Sequence, residues 1–369
     1  MKKRILAIMM SVVVAASLAA CGGGGSTSTT AAPAATEAPK TEAAAPAETK
    51  AEGDAAAAAG DVANDPAVTL VYAEVNPLDT TVVGQVATHF AERVHELSGG
   101  SVTIDVQGGG VLGAEGDFLD NMVGGVGTID MARLSVSTLT GYGVPKSALL
   151  CLPFTFTSRD HFWNFAASDL AQEFMDEPEE NGLGLRGLFL GEEGFRHIFC
   201  NKEVSCLDDL QGLKIRVSTD PTMMGMINAF GANATAIPYG ELYQSLQSGV
   251  VDGAENPVGN YKANSFYEVA PYLLLDGHQL GVIELVITDM AWNKLTENQQ
   301  ECIKIAAKEC QQYNKDLSEK IEEDTLAELG DQITVVEVDK AEWIEKCKDV
   351  IAEATADYAD LYQAIEDLQ

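Results

Sequence analysis

An α/β fold in two lobes is what this sequence predicts, and three observations lead there. From Val68 onward, stretches of alternating apolar and polar residues take turns with stretches whose apolar residues recur at helical spacing. About 300 residues follow Ala67, more than one small hydrophobic core holds. No self-similarity at a solenoid period breaks the alternation, which argues against a stacked-repeat architecture.

Taken in order, Val68 to Ala73 is β-rich and alternates, Val82 to Leu97 carries a helical apolar stripe, and Ser101 to Val106 alternates again, a βαβ opening. Glu115 to Val126 reads as a helix, Ile129 to Leu134 as a strand, Arg159 to Met175 as a helix and Leu183 to Leu190 as a strand. Short strands are expected at Phe195 to Cys200, Leu213 to Val217, Ala234 to Ile237 and Val251 to Glu255, with helices at Pro221 to Phe230 and Glu241 to Gln247. Tyr272 to Leu275 and Val282 to Thr288 are β-rich, and Thr296 to Leu329 is an unusually long helical pattern. A strand at Ile333 to Val338 and a helix at Ala341 to Leu361 close the chain. Such alternation predicts parallel-rich sheets covered by helices.

The N-terminal residues read as an address. Lys2, Lys3 and Arg4 precede an apolar run, Ile5 to Ala16, that is short for a membrane span, and Leu18-Ala19-Ala20-Cys21 resembles a lipobox, at which Cys21 would become acylated. Residues 1–21 are thus expected to be a lipoprotein signal peptide. Residues 22–67 are mostly Gly, Ala, Thr, Pro and Glu with no aromatic side chain, a composition that cannot offset its ordering entropy; as a flexible tether it would reach roughly 40 Å. The formal charge of −33 falls to about −36 without the three leader cations, which disfavours nucleic acid and anionic lipid as partners. Any anionic ligand must then be held by locally placed arginines. Besides Cys21, the cysteines Cys151, Cys200, Cys206, Cys302, Cys310 and Cys347 form no CxxC pair and no zinc-like spacing, and read as free thiols.

Enzyme signatures are thin. Gly108, Gly110 and Gly113 spell GxGxxG between a strand and a helix, but five glycines within nine residues make a chance match easy, and a turn at the mouth of an α/β cleft explains them better than a nucleotide cofactor. His89, His95, His161, His197 and His278 form neither HxxxH nor HExxH, and no serine sits in GxSxG. His89 and His95 read as surface or capping residues, and His197 beside Arg196 is the histidine nearest a candidate site. Acidic residues are too many for any pair to imply acid–base catalysis.

The informative stretch is Gly194 to His278. It contains Gly194-Phe195-Arg196, Leu213-Lys214-Ile215-Arg216-Val217, Ile237-Pro238-Tyr239-Gly240-Glu241 and Gly253-Ala254-Glu255-Asn256-Pro257. On a strand, Ile215 and Val217 share the core face and Lys214 and Arg216 the other. These segments, with Gly127 to Ala132, Leu152-Pro153-Phe154, Phe266 to Val269 and the helix start at Trp292 to Lys308, resemble the solute-binding proteins of tripartite ATP-independent periplasmic (TRAP) transporters, the DctP-like family, over nearly all of Val68 to Leu361.

The resemblance implies a periplasmic-binding-protein-like fold, two α/β lobes joined by hinge strands and a long lobe-spanning helix, closing on a mono- or dicarboxylate without chemistry on it. It implies lobe I at 68–193 plus about 282–321, and lobe II at 194–281 plus about 322–369. Arg216 matches the arginine whose planar fork takes the ligand carboxylate. Arg196 matches a second arginine, Asn256 an amide facing the ligand, and Tyr239 an aromatic wall. Glu74 and Asn76, in the loop after the first strand, are further candidates by a looser alignment. Ser135 stands where sialic-acid-binding members carry a glutamate, which disfavours sialic acid. Arg133 either faces the cleft, adding a third cation that favours a dicarboxylate, or is a solvated strand residue. Gly191 replaces an aromatic and would enlarge the pocket. The expected partners are a small organic acid, TRAP membrane permease subunits and, through the lipid anchor, the outer face of the cytoplasmic membrane; the protein is expected to be a monomer without cofactor or nucleic acid. A ligand-presenting receptor for a sensor kinase would use the same cleft, and an enzyme built on the glycine loop is the remaining rival.

Overall fold

The computed structural model describes residues 62–369 apart from Thr219. The signal peptide, Cys21 and most of the expected tether lie outside the described residues. The tether's C-terminal end does not stay free: Val62 is fully buried in the first core, Asp65 accepts from Thr296 Oγ1, and Pro66 O accepts from Gln299 Nε2 at 2.9 Å.

Ten strands form one mixed sheet: β1 (Val68–Ala73), β2 (Val102–Gln107), β3 (Met131–Ser135), β4 (Leu185–Cys200), β5 (Lys214–Val217), β6 (Asn233–Ala236), β7 (Gly253–Pro257), β8 (Tyr272–Leu275), β9 (Gln279–Thr288) and β10 (Thr334–Glu337). Their order is β2-β1-β3-β9-β4-β7-β5-β6, with β8 paired to β4 and β10 to β8. Parallel ladders sit at both ends, β2-β1-β3 in lobe I and β7-β5-β6 in lobe II. The middle is antiparallel, because β4 and β9 run against each other and against the lobe strands on either side. These two crossing strands join the lobes.

The hydrophobic pattern predicts two strands where β4 is one. Its register with β9 shifts between Gly187 and Phe189 and again between Glu192 and Phe195, and Gly194 has φ 108°, so the Gly-Glu-Glu-Gly break in the pattern is a bulge within a strand rather than a loop between strands. The expected helix Arg159 to Met175 is in fact two, Arg159–Ala166 and Asp169–Glu180, and the C-terminal one divides into Lys340–Ala354 and Ala359–Glu366.

The long helix, Glu297–Leu329, opens with a capping box in which Thr296 Oγ1 accepts from Gln299 N and Gln299 Oε1 from Thr296 N. At 33 residues it spans about 50 Å. Its first half packs on the helix Val82–Leu97 through Ile303, Ala306, Ala307 and Cys310, with Arg93 Nε on Glu309 at 2.5 Å. Its last turns place Leu326 and Leu329 in the lobe II core beside Phe199 and Tyr261. All six cysteines in the described residues are free, and Cys206 alone among them is exposed. No helix among the described residues is long and apolar enough to cross a membrane.

Candidate functional site

The lobe I wall forms where β1 and β3 end. Arg133 on β3 is 3 % exposed and forks onto Glu74, with Nε to Oε2 at 2.8 Å and Nη2 to Oε1, while Nη1 reaches Glu115 Oε1 at 2.5 Å. Burial opposes its charge, but Glu74 and Glu115 outweigh that and raise its pKa. The second oxygen of Glu115 accepts from Ser135 N at 3.1 Å and from Thr138 Oγ1 at 2.7 Å, and Ser135 Oγ lies 3.0 Å from Ser137 Oγ. Asn76 gives its backbone N–H and its amide to Glu74 Oε1, which leaves Asn76 Oδ1 buried and, among the described residues, without a partner. Arg133 is therefore not a solvated strand residue. Nor does it bring an uncompensated cation, since two carboxylates already hold it.

The glycine loop supports this wall. Gly109 N donates to Asn76 O at 2.9 Å, Gly110 N to Glu74 O at 3.1 Å and Gly113 N to Gly110 O at 3.0 Å, so the donors a phosphate would need are taken by the chain itself. Gly109 and Gly110 both have positive φ, which suits the tight turn.

Across the cleft, the lobe II wall carries Arg196, Arg216, Asn256 and Tyr239. Arg196 on β4 forks onto Glu255 of β7, with Nε to Oε2 at 2.5 Å and Nη2 to Oε1 at 3.0 Å, and Nη1 reaches Glu193 Oε1 at 2.8 Å. Burial opposes this guanidinium, yet Glu255 and then Glu193 raise its pKa. Behind it His278 Nε2 stands 3.6 Å from Glu255 Oε2 and its Nδ1 2.6 Å from Asp276 Oδ2; against burial, these carboxylates push His278 up to about 9. His197 points toward this support, its Nδ1 accepting from Gly277 N at 3.0 Å.

Arg216 differs. Its Nε donates to Ile237 O at 2.8 Å and its guanidinium lies 5.6 Å from the Tyr239 ring centroid, but among the described residues no carboxylate pairs with it. Burial pulls its pKa down, against Glu255 and Tyr239. Arg216 registers with Ala254 in the parallel ladder, so Asn256, two residues on, faces the same side of the sheet. Asn256 is buried and makes no side-chain hydrogen bond among the described residues. Tyr239 Oη accepts from Asn264 Nδ2 at 3.0 Å, and its ring meets Phe266 edge-on. The walls feel each other: Glu115 of lobe I raises the pKa of Arg216, and Arg133 lowers that of Glu193, which burial otherwise raises.

The eight residues expected at the cleft thus fall into two groups, Glu74, Asn76, Arg133 and Ser135 around the ends of β1 and β3, and Arg196, Arg216, Tyr239 and Asn256 around β4, β5 and β7. Gly191 does not belong with them. A Cβ there would lie 2.4 Å from Asn314 Oδ1 on the long helix, so this glycine makes room for the helix and leaves the pocket size unchanged. Sequence reasoning passed over Glu115, Glu193, Glu255 and Asn260, whose Nδ2 donates to Glu193 Oε2 at 3.0 Å. The one available signal was position: Glu115 opens a helix after the glycine loop, and Glu255 precedes Asn256 in the Glu-Asn-Pro segment.

Comparison with known proteins agrees with this architecture. The family model described as bacterial extracellular solute-binding protein, family 7 (DctP) matches residues 72–357. A solute-binding protein of Chromohalobacter salexigens is 30% identical over 290 residues, 78% of this chain and 84% of that protein. A TRAP periplasmic solute-binding protein of Pseudomonas putida, solved with bound D-glucuronate, superposes with a TM-score of 0.77 at 30% identity, covering 81% of this chain and 96% of that one. A TRAP solute-binding protein of Sulfurospirillum deleyianum with bound succinate gives 0.76 at 27% identity, covering 82% and 99%. The extent of these matches and the two-lobed sheet together place the chain in family 7 of the bacterial extracellular solute-binding proteins, the DctP-like solute-binding components of TRAP transporters.

Proposed function

We propose that the cleft binds a sugar acid, a monocarboxylate rich in hydroxyl groups, and that the closed, loaded protein delivers it to the TRAP permease from the outer face of the cytoplasmic membrane, held there through Cys21. The observation that carries this reading is Arg216, a buried guanidinium with no carboxylate of the protein to neutralise it among the described residues. A ligand carboxylate in bidentate contact would supply the missing charge, and Tyr239 and Asn256 would flank it. Arg133 and Arg196 are already held by Glu74, Glu115, Glu193 and Glu255, so a second ligand carboxylate would meet a wall that is acidic on balance. Ligand hydroxyls suit that wall, where Glu115, Glu193 and Asn76 Oδ1, unpartnered among the described residues, can accept. Solved relatives bind D-glucuronate, galacturonate and galactonate, which supports the sugar-acid reading; the relatives named for succinate and C4-dicarboxylates support the alternative, a dicarboxylate. We place the lobe boundaries within the crossing strands, near residues 193 and 282.

The test is thermal-shift screening and calorimetry of the chain from Val62 onward against D-glucuronate, D-galacturonate, galactonate, succinate and malate. A ligand at a hundred times its Kd stabilises the fold by about 2.7 kcal/mol. Sugar acids are expected to shift the melting temperature and dicarboxylates not to. A shift by succinate alone would replace the sugar acid with a dicarboxylate, and no shift by any acid would remove the carboxylate reading.

A further inference from the structure

We propose that Asn314 is a positioning residue for the ligand site, pinning the long helix to the crossing strand β4 at the point about which the lobes turn. The inference rests on the two-lobe binding reading above. Asn314 is fully buried on the long helix, and its carboxamide brackets one residue of β4: Oδ1 accepts from Glu192 N at 2.7 Å and Nδ2 donates to Glu192 O at 2.8 Å. Glu192 is the last residue of β4 in register with β9 before the bulge, so this side chain completes the ladder where the sheet lets go.

The pinned residue leads directly into the site. Glu193 is next in the chain and Arg196 lies just beyond the bulge, so the direction in which β4 leaves Glu192 sets where both side chains stand. The close approach is made possible by Gly191, at which any Cβ would collide with Asn314 Oδ1. On the helix, Ser318 Oγ donates to Asn314 O at 2.6 Å. A serine bonded to the carbonyl one turn back lets a helix bend while that carbonyl stays satisfied. The helix packs on the lobe I core as far as Leu317 and Ile321 and on the lobe II core from Leu326 onward, so Asn314 sits about two turns ahead of the changeover. Arg159 adds a second tie, with Nε on Glu192 Oε1 at 2.9 Å and Nη2 on Glu322 Oε2 at 2.5 Å, but it holds side chains, whereas Asn314 holds the strand itself.

The experiment measures the distance between spin labels at V126C in lobe I and V250C in lobe II, both exposed positions, in a Cys206→Ser background. Asn314→Leu is expected to broaden the ligand-free distance distribution and to weaken D-galacturonate binding about ten- to a hundredfold. Arg216→Lys should weaken binding and leave the ligand-free distribution as in the wild type. A wild-type distribution in Asn314→Leu overturns the proposal. Should that variant fail to fold, Gly191→Ala displaces Asn314 by a single methyl group and is judged by the same two outcomes. If the wild type binds no sugar acid, the functional reading fails, while the ligand-free distribution still decides the pivot.

Discussion

Arg133 on β3 and Arg216 on β5 are buried alike, at 3 % and 4 % exposure. One is gripped by Glu74 and Glu115; the other has a carbonyl and an aromatic face for company. Taking a guanidinium out of water costs several kcal/mol, and a protein recovers that only by pairing it. At Arg133 the chain recovers it within itself. At Arg216 the cost stands open, which is the condition a receptor needs if its ligand's charge is to favour closure. Burial of an arginine therefore does not mark a ligand contact; a charge left uncompensated does.

The largest expected effect tests the paired side. Arg133→Leu would leave buried Glu74 beside partly buried Glu115 without a cation, and stability to chemical denaturation should fall by about 3–5 kcal/mol. A loss below about 1 kcal/mol would mean that the trio is not the structural unit described. On the open side, Arg216→Lys keeps the charge and loses the fork, so calorimetry should give an affinity for the bound acid about ten- to a hundredfold weaker, with the ligand-free melting temperature nearly unchanged. The reverse pattern would exchange the roles of the two arginines.

How far this contrast was legible in the sequence depends on distance along the chain. The strand placing Arg216 and the long helix are local patterns, and each forms close to where the pattern put it. The carboxylates onto which Arg133 and Arg196 fork are not local: Glu74 and Glu255 each lie 59 residues away from the arginine they hold, and in a chain with 56 acidic residues nothing in composition singles them out. Gly191 shows a second limit. Its neighbours in sequence lead to the cleft, but strand alternation turns this position toward the long helix, so a substitution that looks like a larger pocket is a packing contact. The unity of β4 was hidden for a related reason, since a bulge and a loop use the same glycines.

The smallest effect probes where the rule about uncompensated charge stops. Glu284 on β9, fully buried between Leu134 and Leu190 in the ladder, has both carboxylate oxygens without a partner among the described residues, yet it lies under Gly187, against the helix Asp169–Glu180. Burial, with Glu177 and Asp176 adding to it, raises its pKa well above the usual carboxylate range. Unlike Arg216, whose guanidinium keeps its charge, Glu284 sits where burial favours its neutral form, which needs no counter-charge. Because its folded pKa is raised, any stability it permits is present below the ordinary pKa near 4.5 and declines as pH rises above it. Glu284→Met should therefore stabilise the fold by about 1–3 kcal/mol at pH 8 and by less at pH 5, read by denaturation at both values. A variant less stable than the wild type at pH 8 would mean that the carboxylate is ionised and held by a partner, and Glu284 would then join Arg216 among the charges that require one.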